Sequence, residues 1–415
     1  MAKTWTGLES RVEYLRRLAI VFADELRLKI VTELYLREMS PAQFHAEFGG
    51  GSVSRVDHHF KRLVEHGWLR YVRTETGEGR RPGGPQHFYR AIDLPVFDKE
   101  TWALVPYSMR VEISWTTFKQ FAERVAEALR AKTLDARPNS HLSWTPVLLD
   151  EAGWERVSSA IDSFFESVLE EIADARLRVY RSGETPMLAT VGLALFESPR
   201  PEAADLPRKT PVLVEGTKSP VPASRRVYRV FNDPISLQIV TEANLGETSA
   251  PTFHRQHEGG EDIKNIRRRF KTLEELGWLR KVGERTGGRR RSARERFYRA
   301  TGPAIYDNES WTEVPDEVKP VYSWTTFVQL SDQVKRAIEV GTFEARLDNH
   351  LSWSLLRLDQ IGWEKVAAEV DGLLATVLKE KDGAEDRLAE SGEEPILATV
   401  ALAAFESPRD AAKAP

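Results

Sequence analysis

The 415-residue chain contains no cysteine. That excludes disulfides and thiolate metal ligands, and it fits a reducing compartment. It also lacks any run approaching the roughly 18 apolar residues of a membrane span. The opening segment, MAKTWTGLESRVEYLRR, has no apolar core of the signal-peptide kind. The expectation is a cytoplasmic protein that does not enter the membrane. No phosphate-cradling glycine loop precedes a helix, and no nucleophile, base and orienting residue fall at a triad-like spacing. The reading is therefore not an enzyme, with no cofactor and no metal. His254 and His257, three apart, could share a helix face, and the first half has only His45 at the matching position of the pair.

Excess charge of one sign is scarce overall. The net charge is −4, which does not suggest an anionic partner until the charges are located. Residues 53–90 hold eight Lys or Arg against four Asp or Glu, and residues 262–299 hold fourteen against five. These segments carry +4 and +9, which leaves −17 for the rest. A basic footprint confined to two segments is what a nucleic-acid contact requires.

What is present, above all, is a duplication. At a displacement of 209 residues IVTEL at 30–34 meets IVTEA, SWTTF at 114–118 meets SWTTF, HLSW at 141–144 meets HLSW and FESPR at 196–200 meets FESPR. Inside the helix that opens each basic segment the displacement is 210, and it returns to 209 after the hairpin loop. The chain is thus two similar halves. Five prolines in residues 201–222 form a tether between them that at about 3.1 Å per residue spans roughly 60 Å.

Each basic segment begins with a helical pattern. Val53, Val56, Phe60, Leu63 and Val64 make one apolar stripe, and Ile263, Ile266, Phe270, Leu273 and Leu276 the other. The open faces carry Ser54, Arg55, His58, Lys61 and Arg62, then Lys264, Asn265, Arg267, Arg268 and Lys271. Gly67 and Gly277 sit where a helix stops with a left-handed residue. A hairpin follows in each half, with Arg80 and Arg81 on the first loop and Arg289, Arg290 and Arg291 on the second. A polar, basic helix face next to a basic hairpin suits a major groove and the adjoining phosphates. A solvated charged face is the plainer reading of the helices alone.

Upstream, residues 8–22 and 24–36 read as helices. Ser40-Pro41 opens a short helix to about Phe48, and Gly49-Gly50-Gly51 is a turn. Downstream, helices are expected from Thr116 to Ala131, Trp154 to Arg181, Thr325 to Val340 and Trp363 to Glu390. Strands are expected at His141–Leu149, Met187–Glu197, His350–Leu358 and Ile396–Glu406. The fold class is α+β, mainly α. The domain boundaries are 1–92, 93–200, a linker at 201–222, then 223–301 and 302–409.

Residues 24–91 and 233–300, a third of the chain, resemble the ArsR-like winged-helix transcriptional regulators of bacteria. The resemblance rests on the opening helix from Asp24 to Leu34, the segment Asp57-His58-His59-Phe60-Lys61-Arg62-Leu63, the stop at Gly67-Trp68-Leu69 and the hairpin ending at Tyr89. It implies two winged helix-turn-helix domains, each followed by a dimerisation-like region of helices and strands. It also implies binding of double-stranded DNA, repression as the mode, and release by an effector. Carried over by position, Ser54, Arg55, His58 and Lys61 approach bases and phosphates with Arg80 and Arg81 on the wing, and Lys264, Asn265, Arg267, Arg268, Arg289 and Arg290 do so in the second half. The cysteine pairs of metal-sensing members are missing, which removes thiolate sensing. The duplication replaces the usual homodimer with an intramolecular pseudo-dimer, with further homodimerisation left open. The two reading faces differ, so two unlike half-sites are expected.

Trp115, His141, Trp144, Trp154, Trp324, His350, Trp353 and Trp363 form a candidate pocket for an apolar small-molecule effector, with a histidine as polar handle. The alternative, and the favoured one, is core and dimer interface, since aromatics at helical spacing are usually packing. A non-specific architectural DNA binder and a winged-helix protein scaffold are the rival functions. Ser, Asn and His on the open faces favour base discrimination.

Overall fold

The computed structural model describes residues 8–75, 85–199 except 96, 98 and 138, residue 230, and residues 233–257, 261–286, 294–302, 311 and 314–408. The described residues are 58% helical and 21% strand, a mixed fold. Two compact units divide at residue 116. The linker at 201–222 lies outside the described residues. Among the described residues no helix is long and apolar enough to cross a membrane.

The first unit holds α1 (Leu8–Phe22), α2 (Glu25–Leu36), α3 (Pro41–Phe48), α4 (Val53–Glu65), β1 (Leu69–Glu75), β2 (Gln86–Ala91) and α5 (Lys99–Ala103). Local chemistry sets each boundary. Asp24 caps α2 through the amide of Leu26 at 2.9 Å, and Ser40 caps α3 in a reciprocal box with Gln43, with Pro41 in the first turn. Gly49, Gly50 and Gly51 all have positive φ, and a Cβ on Gly50 would lie 2.9 Å from Leu26 Cδ1. Only glycine meets both demands there. Gly67, at φ 69°, ends the α4 region, and Trp68 folds back, its ring nitrogen donating to the Arg17 carbonyl at 2.9 Å. Phe44, Val56, Phe60, Leu63 and Trp68 form the core with Leu18, Ile30 and Leu34. β1 and β2 pair antiparallel from Leu69–Ala91 with a bulge between Tyr71 and Arg73.

The second unit repeats this build in α8 (Pro234–Leu245), α9 (Ala250–Gln256), α10 (Ile263–Glu275), β5 (Leu279–Thr286) and β6 (Arg294–Ala300). The equivalence is detailed. The lone bridge Met39–Tyr89 is matched by Thr248–Tyr298, and the hairpin bulge recurs between Lys281 and Gly283.

The rest of the second unit is one sheet shared by both halves. β3 (His141–Leu149), β4 (Met187–Glu197), β7 (His350–Leu358) and β8 (Ile396–Glu406) run antiparallel in the order β3-β8-β4-β7. Strands of the two halves alternate across it. The pairings Ala189–Glu406 and Glu197–Ala398 are the same pairing after the 209-residue displacement, and Leu193–Leu402 is its centre. A pseudo-two-fold axis therefore passes through that pair. Pro146 stands in the edge strand β3, where a missing amide is tolerated.

Two 32-residue helices, α7 (Glu151–Ser182) and α12 (Gln360–Ser391), cover one face. Trp154, Val157, Ile161, Trp363, Val366 and Val370 enter the core there. The other face packs on α11 (Lys319–Val340) and the later turns of α6 (Tyr107–Ala131), through Phe118, Phe121, Phe327 and Leu330. Paired clasps tie the halves together. Arg178 binds Asp359 at 2.6 Å, and its counterpart Arg387 binds Asp150 at 2.5 Å. These aspartates also cap the opposite long helices through Gly153 and Gly362, at 2.9 Å each.

Several expectations need correction. α6 starts at Tyr107, not Thr116, and α11 at Lys319, not Thr325. Pro106 and Pro320 belong to helix starts, where a missing amide costs little. Val53 is 43% exposed, being in the first turn of α4 beyond the core.

Candidate nucleic-acid interface

Capping and burial aim the open faces of α4 and α10. Ser52 caps α4 through the Arg55 amide at 3.2 Å, and Asp262 caps α10 through the Lys264 amide at 2.7 Å. With Val56, Phe60 and Leu63 locked inward, and Ile266, Phe270 and Leu273 likewise, the opposite faces must meet solvent. Ser54, Arg55, His58, Lys61 and Arg62 are all exposed, as are Lys264, Arg267, Arg268 and Lys271; Asn265 is half-buried. The proposed helix contacts thus share one surface on each helix.

The two surfaces differ in charge. On α4, Lys61 pairs with Asp57 at 2.7 Å, and the hydrogen bond raises the Lys61 pKa. The α10 position equivalent to Asp57 is Arg267. The carboxylate that tempers the first face is replaced by a second guanidinium in the other. Lys271 pairs with Glu275 at 3.5 Å at the far end of its face.

A positioning pair absent from the expectations lies behind each face. His59 Nε2 is 3.8 Å from Asp24 Oδ2, and the equivalent Arg269 donates to Asp233 at 2.5 Å and also bonds Glu261. Each ties α4 or α10 to the start of the helix two before it. Burial lowers the His59 pKa, against the pull of Asp24, whereas Arg269 is a permanent cation. The signal was present in the sequence: the two aspartates match at 209 and the two basic residues at 210.

The hairpin stems carry further basic residues. Arg73 contacts Glu38 at 3.2 Å and also Glu75. Lys281, Arg294 and Arg296 surround Glu284, whose pKa is lowered first by the Lys281 hydrogen bond. Arg80, Arg81, Arg289, Arg290 and Arg291, expected on the loops, lie outside the described residues.

The aromatic candidates do not line one cavity: strand alternation separates His141 and His350 from Trp144 and Trp353, Trp154 and Trp363 belong to the helices α7 and α12, and Trp115 and Trp324 belong to α6 and α11. Trp154 and Trp363 are fully buried beneath α7 and α12. The Trp363 ring nitrogen donates to Asn139 at 2.7 Å, while that of Trp154 has no partner among the described residues. Arg346 lies 4.6 Å over the Trp154 ring and Arg137 5.4 Å over that of Trp363. His141 and His350 bond Ser143 and Ser352 at 2.6 and 2.8 Å, and burial pushes both rings down to about 4. Trp144 and Trp353 pack on the opposite face, and Trp115 and Trp324 are half-exposed on α6 and α11. A separate, shallow apolar depression is lined by Phe118, Phe121, Leu193, Leu330 and Leu402 among others, and by none of those eight residues. The plainer reading of the aromatics, as packing, accounts for the buried ones. His257 bonds Glu242 at 2.6 Å, which directs it towards a carboxylate on α8.

Compared with protein-family models, with curated proteins and with solved structures, the chain matches none.

Proposed function

We propose that this protein is a sequence-specific double-stranded DNA-binding transcription regulator of the winged helix-turn-helix kind, a repressor acting in the cytoplasm as a covalent pseudo-dimer. One observation carries the reading. Two equivalent helices are each held by a buried apolar face, and each turns a capped, polar and basic face to solvent, followed by an antiparallel hairpin. A helix presented in this way fits the major groove, and a hairpin beside it reaches the flanking phosphates. Arg55, Arg267 and Arg268 suit guanine edges, and Asn265 suits adenine. The sheet built from alternating strands of both halves supports the pseudo-dimer, since a homodimer's interface is here made within one chain. The operator then has two unlike half-sites.

Selection of binding sites from a random duplex pool at fixed near-physiological salt tests this. The expected result is an enriched bipartite site with different halves about one helical turn apart. Binding without enrichment that falls steeply with salt would point to the phosphate backbone as the target. Absence of binding would turn the hairpin units into a protein scaffold.

A further inference from the structure

We propose that the outer face of α7 is a self-association surface that pairs antiparallel with α7 of a second copy of this chain. Leu169, Leu177 and Tyr180 are 50%, 54% and 87% exposed, and Ala173 between them is exposed too. Steps of four, four and three residues place them within about 80° of arc, on a ridge roughly 16 Å long. Apolar side chains lined up on one helix face are the mark of a covered surface.

The duplication provides an internal control. The positions of α12 equivalent to Leu169, Ala173, Leu177 and Tyr180 carry Leu378, Asp382, Asp386 and Ala389; three of the four change, and α12 packs into the same core. The fold therefore does not require the ridge; the first half carries it in addition.

Charge selects the occupant and its direction. Glu170 and Arg181, eleven residues apart, lie on the same flank of the ridge. In an antiparallel two-fold pair like flanks meet, so Glu170 faces Arg181 of the partner subunit at both ends, with Ala173 and Leu177 packed at the centre. A parallel pair leaves those two charges far apart along the axis. Because α12 has no such ridge, the contact is isologous and closes at two chains instead of extending into a fibre. Four side chains on one helix are a small surface beside the roughly 800 Å² per partner of a standard interface, so the association is a weak one and is read at high protein concentration. The surface does not depend on the DNA-binding proposal. If both hold, a dimer presents four reading helices.

Sedimentation of the full chain without DNA, from about 2 to about 200 µM, is the test. The mean mass should rise from that of a single chain, 47.1 kDa, towards twice that value. Leu177→Asp with Tyr180→Ala, which copies α12, should hold it at the single-chain mass with an unchanged circular dichroism spectrum. Arg181→Glu alone should weaken association at least about tenfold, and Glu170→Arg with Arg181→Glu should restore it. A mass that stays at one chain throughout, or a double charge swap that fails to restore association, overturns the proposal. DNA binding by the single chain would be untouched by either failure.

Discussion

Gly192 lies beneath the ring of Phe121 in the middle of β4, and a Cβ there would stand 2.6 Å from Phe121 Cε2 and 3.0 Å from Cζ. The ring cannot easily withdraw, because it is 6% exposed and meets Phe327 and Phe405 at 6.3 and 6.4 Å. Gly192→Ala should therefore destabilise by about 1–3 kcal/mol through overpacking, offset by up to about 1 kcal/mol from the lower chain entropy of alanine. Phe121→Leu alone leaves a gap and should cost about 1–2 kcal/mol. The second half already uses the other solution, with Leu330 and Ala401 at the equivalent positions. The double variant should return to within about 0.5 kcal/mol of the parent, a coupling of about 2 kcal/mol. Urea midpoints followed by circular dichroism at constant m-value measure each change. Losses that simply add in the double variant would refute the claim that the two halves reached the same packing by exchanging volume.

Acid should destabilise the sheet domain in a defined window. His141 and His350 have folded pKa values of about 4, below the unfolded 6.5, because of burial. Their contribution is complete above pH 6.5 and is lost as the pH falls towards 4, by about 3 kcal/mol each at most. His141→Gln with His350→Gln should flatten urea midpoints between pH 6.5 and 4. Asp359 is pushed down to about 2, first by Arg178 and also by the Gly362 amide; that stability is present above about pH 4 and is lost as the pH falls through 2. Arg178→Ala should cost about 1 kcal/mol at pH 7, since the guanidinium is partly in water, and in urea titrations the deficit should shrink as the pH falls from 4 and vanish only below 2. In DNA titrations with the enriched site and its single-base variants, Arg267→Ala and Arg268→Ala should each lose about 1–3 kcal/mol of base discrimination in the half read by α10. Arg55→Ala should lose a similar amount in the half read by α4.

Local features of this fold were readable from residue order. The helix stops at Gly67 and Gly277, the serine cap before Pro41 and all four strands of the shared sheet follow from capping chemistry and apolar patterning within short windows. The start of α6 was not legible, because Ser108, Arg110 and Glu112 blur the apolar period over its first turns and Pro106 reads as a break. Nor was the alternation of strands from the two halves, since β3 bonds β8 across more than 200 residues and no local pattern records that choice. The duplication pointed to a pseudo-dimer; it could not say that the interface is a continuous sheet. For the candidate site, the open faces of α4 and α10 were legible because their buried faces were. The aromatic set divides between elements for a simple reason. Trp144 and Trp154 stand near each other in sequence, but one is on a strand facing α6 and α11 and the other on the helix that covers the opposite face.

The central claim is that two unlike helix faces within one chain read two unlike half-sites. Its most direct test replaces Lys264, Asn265, Arg267 and Arg268 with the α4 residues Ser, Arg, Asp and His and repeats site selection. The account predicts that the enriched site changes from two different halves to two copies of the half read by α4, in inverted order. An enriched site identical to that of the parent chain would show that these faces do not read DNA bases and would contradict the account.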